Sequence, residues 1–118
     1  MLWPDKEKDR MFTHQSSVSA REVLKGIELR TLAWGQNTLL AQFNLKKETL
    51  IPNHSHPHEQ TGYLVSGRLR LTVDGSSYEA APGDSWCIPS GVPHGAEALE
   101  ESVAIEVFSP VREDYLPK

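Results

Sequence analysis

Short β-type runs broken by turn residues fill this chain from Ile27 to Ser109, and they leave no stretch long enough for a packed helix. Residues 27–34, 38–45, 50–56, 60–66, 68–73, 76–80, 85–88, 94–98 and 103–109 read as strands. Between them stand Gly35-Gln36-Asn37, Pro52-Asn53, Gly67, Asp74-Gly75, Pro82-Gly83-Asp84 and Pro89-Ser90-Gly91. Asp74-Gly75 is the clearest of these signals. It follows the alternation Leu69, Leu71, Val73, and Asp-Gly suits the two positive-φ positions of a type I′ hairpin. Residues 19–25 are the one segment with room for a helical turn. Many short strands with frequent turns predict an all-β sandwich or barrel. Residues 1–17 are polar and aperiodic, and are expected to form an arm ahead of a domain at 18–118.

At 118 residues the chain has material for one hydrophobic core. The formal net charge of −4 and the lack of a basic stripe argue against nucleic-acid binding, which needs clustered Lys and Arg. Arg68 and Arg70 alternate in an apolar run and read as a solvated strand face. Cys87 stands alone, so no disulfide can form within the chain. Its setting, Trp86-Cys87-Ile88, suggests a small buried hydrophobe. No apolar run reaches membrane-spanning length, and the N-terminal segment lacks the apolar region of a secretory signal. The simplest expectation is a cytoplasmic protein that neither binds nucleic acid nor enters a membrane.

Five histidines remain: His14, His54, His56, His58 and His94. On a strand, residues two apart share a face and lie about 7 Å apart. His54 and His56 can therefore turn their rings to one cation, and Gln60 shares their parity. His94 follows the stiff turn Pro89-Ser90-Gly91-Val92-Pro93, which can bring a distant strand back to the same place. His58 has the same parity, but it follows Pro57, whose missing N–H bends the chain, so it is expected at the rim. His14 belongs to the polar arm and is expected to be exposed.

These residues resemble the two motifs of the cupin superfamily. His54-Ser55-His56-Pro57-His58-Glu59-Gln60 followed by Gly67 is similar to the first. Gly83-Asp84-Ser85-Trp86-Cys87-Ile88-Pro89-Ser90-Gly91-Val92-Pro93-His94 is similar to the second. The resemblance implies a single-domain all-β cupin, a double-stranded β-helix or jelly-roll barrel. It also implies one divalent transition metal (Zn, Ni, Mn or Fe) on His54, His56, Gln60 and His94. Two positions depart from the pattern: Gln60 stands where glutamate is usual, and Ala98 where asparagine is usual. A neutral amide oxygen leaves the ion's full charge in place, which favours Lewis-acid chemistry. It also removes the carboxylate that two-histidine iron oxygenases use.

The flanks narrow the resemblance to the KdgF-type pectin-degradation cupins, through Gln60-Thr61-Gly62-Tyr63-Leu64-Val65-Ser66-Gly67 and the tail from Glu106 to Leu116. That likeness implies an isomerase that linearises 4,5-unsaturated uronates released by pectin or alginate lyases. The small-molecule substrate would be a sugar acid, and the enzyme a homodimer. It assigns Glu106 and Arg112 to catalysis, and Phe108 and Arg112 to substrate binding; the acidic position is usually aspartate. Strand pattern alone favours the opposite sidedness, with Val103, Ile105 and Val107 in the core and Glu106 in water. The alternatives on the same scaffold are a dioxygenase- or cyclase-type cupin and a sugar-binding cupin without chemistry.

Overall fold

Side chains of a strand point alternately to its two faces, and this chain uses that rule to build two facing sheets. The computed structural model describes residues 11–117. Among them are ten strands: β1 (Arg21–Leu24), β2 (Ile27–Trp34), β3 (Leu39–Leu45), β4 (Leu50–His54), β5 (Glu59–Ser66), β6 (Leu69–Val73), β7 (Ser76–Ala80), β8 (Ser85–Ile88), β9 (His94–Ala98) and β10 (Ser102–Ser109). The larger sheet runs β1-β2-β3-β10-β5-β8 and the smaller β4-β9-β6-β7. All pairings are antiparallel.

The core lies between the sheets. Leu39, Ala41, Phe43 and Leu45 of β3 are buried, and the residues between them only half so. From the other sheet Leu69 and Leu71 of β6 and Ala98 of β9 meet them. Burying one such Leu or Phe side chain contributes about 1.5–3 kcal/mol before chain entropy is counted. The expected turn at Asp74-Gly75 is present. Both residues have positive φ, 49° and 83°, and Val73 pairs directly with Ser76. Arg70 lies on the outer face and pairs with Glu97 at 2.9 Å, as a solvated strand face would.

Three expectations are corrected. Residues 19–25 contain strand β1 in place of a helical turn, because Lys25-Gly26, with Gly26 at φ +79°, turns the chain straight into β2. Cys87 is exposed. Trp86 and Ile88 take the inward face of β8, so parity sends the thiol out. In β10 the half-exposed residues are Val103, Ile105 and Val107, while Ala104, Glu106 and Phe108 are buried. The pattern-only sidedness is thus reversed. The arm expected at 1–17 falls partly outside the described residues. Its described part holds a short 3-10 turn, Gln15–Ser17, next to an exposed His14. Among the described residues no helix is long and apolar enough to cross a membrane.

Candidate metal centre

His54 ends β4 and His94 begins β9, and the two are register partners across that edge. A bulge between Ile51 and His54, at Pro52-Asn53, sets this register. Pro52 has no N–H to donate to the ladder, so the strand bends there. His56 lies past the end of β4, in the bend that leads to β5. The expectation of one strand carrying both residues is therefore off by two positions. The rings nevertheless meet: His54 and His94 have centroids 4.3 Å apart, His56 and His94 4.8 Å, and His54 and His56 5.5 Å. One ligand atom from each of the three residues lies within 4.8 Å of the others. Ligands of one cation bound at about 2.0–2.1 Å stand up to about 4 Å apart.

Backbone carbonyls decide which ring nitrogen is left. His54 Nδ1 lies 2.8 Å from the Pro52 carbonyl, His94 Nδ1 2.9 Å from that of Val92, and His56 Nδ1 3.0 Å from that of His58. A carbonyl only accepts, so each Nδ1 carries the proton and donates it. In the neutral ring Nε2 is then a bare lone pair. For His94 that atom is buried and has no hydrogen-bond partner. For His56 it faces Gln60 Oε1 at 3.1 Å, a contact between two acceptors. A lone buried acceptor and a pair of acceptors in contact are both costly alone, and both are satisfied by a cation among them. Burial, with Arg112 and then His94 adding positive charge, holds His56 below the usual histidine pKa. Burial does the same for His94, partly offset by the Val92 carbonyl. Both rings are thereby kept in the neutral form that ligates metal. The residues present fit a divalent transition metal. His58 is half-buried and stands outside the cluster, as expected for the rim.

Behind Gln60 lies Glu106. Gln60 Nε2 donates to Glu106 Oε2 at 2.6 Å, and Trp86 Nε1 donates to Oε1 at 2.8 Å. Burial pushes the Glu106 carboxyl up from 4.5 to about 8, while the Trp86 and Gln60 donors pull in the other direction. Glu106, Phe108 and Arg112 line one cavity of about 60 Å³ with His54 and His94. It has room for a few waters and adjoins a wider groove of about 490 Å³ along Arg21, Pro52 and Asp114. Phe43, Ile51, His54, Arg112 and Tyr115 line both. Arg112 lies 4.1 Å above the Tyr115 ring and 5.3 Å from that of Phe108. Its Nε is held by Asp114 at 3.1 Å, so the Nη donors are left for a further acceptor. Trp86 and Tyr115 were not foreseen. The alternation of Trp86 with Ile88 around Cys87 pointed to it faintly, and nothing in the sequence pointed to Tyr115.

The Cupin_2 family of cupin domains matches residues 41–109, more than half of the chain. The chain belongs to the cupin family. Among cupins it is 29% identical over 97 residues to the pectin degradation protein KdgF of Dickeya dadantii, covering 80% of this chain and 88% of that one. The solved structure of KdgF from Halomonas sp. is 30% identical, with a TM-score of 0.85, and covers 89% of this chain and 97% of that one. This cupin is also 33% identical over 87 residues to the oxalate decarboxylase OxdC of Bacillus subtilis. That match takes in 70% of this chain and 22% of that protein. The pocket-side placement of Glu106, Phe108 and Arg112 therefore occurs in a cupin similar to KdgF along most of its length.

Proposed function

We propose that this cupin is a metal-dependent isomerase that opens the ring of 4,5-unsaturated uronates. The observation that carries the reading is that His54 and His94 share one cavity between the sheets with a buried glutamate and an arginine with free donors, with the His56 ring centroid 4.8 Å from that of His94, in a chain similar to a pectin degradation protein. His54, His56, His94 and Gln60 would hold the ion. When bound there, it supplies Lewis-acid polarisation of substrate oxygens.

The protein's own groups account for the rest. The Arg112 Nη atoms form a fork that matches a carboxylate, and the Tyr115 ring beneath and Asp114 at its side keep the fork aimed. Phe108, 1% exposed, closes the floor of the cavity and excludes water. Glu106 takes the proton of the anomeric hydroxyl. The C1–O5 bond then breaks as C1=O1 forms, and the electron pair goes to O5. The resulting enol becomes the ketone when a proton is delivered to C4, and Glu106 is placed to return it. No atom is gained or lost. A carboxyl whose pKa lies near neutrality can serve in both directions.

Purified protein reconstituted with metal should speed the loss of the enol-ether absorbance of an unsaturated monouronate. Glu106→Gln should slow it by about 10²–10⁴-fold, the usual worth of general acid–base catalysis. Arg112→Ala should act mainly on KM. Metal-loaded protein that leaves the spontaneous rate unchanged refutes the reading.

A further inference from the structure

Gly62 has ordinary backbone angles, so no turn requires glycine there; it lies in mid-strand, with Trp86 of β8 as its register partner on one side and Glu106 of β10 on the other. A Cβ at this position would stand 1.9 Å from Glu106 Oε1 and 2.2 Å from Trp86 Nε1. The bare glycine face is the space through which the indole N–H reaches the carboxylate. We propose that Trp86 is a positioning residue for the metal centre, acting through Glu106 on Gln60, with Gly62 as the gap that permits it. The inference rests on the metal reading above.

An amide can face the histidines with either its oxygen or its NH₂, and only the oxygen can ligate a cation. Gln60 presents oxygen because its Nε2 is engaged by Glu106 Oε2 at 2.6 Å. That oxygen of Glu106 is in turn held in place because its twin is tied to Trp86 at 2.8 Å. With Glu106 ionised, the form a nearby cation favours, the amide turned by 180° would set oxygen against oxygen at Glu106 and hydrogens against the ion. The carboxylate absent from the ligand position is thus present one hydrogen bond further out, where it orients the neutral ligand. Partners of this kind typically set metal affinity by about 10–100-fold.

The test uses the full chain and Co²⁺ alone, read by chelator competition and by the visible d–d spectrum. Wild type should bind one Co²⁺. Trp86→Phe keeps an aromatic side chain and loses the N–H, and should weaken binding about tenfold and change the spectrum in the manner of Gln60→Ala. Gly62→Ala, which keeps both side chains and forces the indole and the carboxylate apart, should do the same and serves as an independent break of the same contact if the first variant folds poorly. The Trp86→Phe, Gln60→Ala double variant should bind no worse than Gln60→Ala alone, since both act on one ligand. Unchanged affinity and spectrum in Trp86→Phe, or additive losses in the double variant, would overturn the proposal while leaving the metal site intact. Absence of Co²⁺ binding by wild type would instead sink the metal reading itself.

Discussion

Glu106 is the titratable residue whose pKa burial shifts the most. In the metal-free protein its folded-state pKa of about 8 exceeds the ordinary 4.5, so the folded chain keeps a proton that the unfolded chain releases. Folding stability from this group therefore falls as pH rises through that window. His56 and His94 act with the opposite sign. Their folded pKa values lie below 6.5, so the unfolded chain binds more protons there, and stability rises as pH approaches 6.5 from below. In chelator, the urea midpoint of Glu106→Gln should lose the decline towards pH 8 and keep the rise below 6.5. A wild-type profile that parallels the variant's across pH 5–8 would contradict the buried-carboxyl account. The histidines were legible as residues because His-x-His and the Pro-Gly turn before His94 are local patterns. Their shared tautomer was not, since it depends on carbonyls that only the folded backbone brings to each Nδ1.

At the scale of the element, turns and sidedness behave differently. The β6–β7 hairpin is specified by two adjacent residues, and a Cβ at Gly75 would meet nothing within 4 Å. Gly75→Ala should thus cost only the strain of positive φ, about 1 kcal/mol. Urea denaturation should register that loss, with metal affinity unchanged. The strands 27–34, 76–80, 85–88 and 94–98 were read to the residue, and β3, β4, β5, β6 and β10 within a residue or two, because alternation and flanking turns are local signals; β1 was missed, being too short to show an alternation. The face each strand buries was less legible. Alternation says that Cys87 opposes Trp86 and Ile88, and that Glu106 opposes Ile105 and Val107, without saying which set is inside. Because the Cys87 thiol is exposed, it should react with a thiol reagent in native buffer, and Cys87→Ser should shift stability by no more than about 0.5 kcal/mol. Protection of the thiol until the protein unfolds would count against this sidedness.

For the whole molecule, the two sheets act as a clamp on the candidate centre. His54 and His94 come from the smaller sheet, Gln60 and Glu106 from the larger, and His56 from the bend between β4 and β5. A cation that binds the folded chain and not the unfolded one stabilises the native state by mass action, by about 2.7 kcal/mol at a hundredfold excess over Kd. Addition of Zn²⁺ to chelated protein should raise Tm by several degrees, and His94→Ala should abolish the rise. A Tm indifferent to Zn²⁺, Ni²⁺, Mn²⁺ and Fe²⁺ alike would rule out a centre that bridges the sheets.

Turn positions, strand boundaries and the identity of the three imidazoles were set by residues close together in the chain, where backbone sterics and the period of two act without help. The inward face of β10, the outward turn of Cys87 and the reach of Trp86 across Gly62 to Glu106 were decided only when β10 was laid between β3 and β5. The physical reason is that parity is a property of one strand, whereas the choice of buried face belongs to the strands on either side and to the sheet opposite.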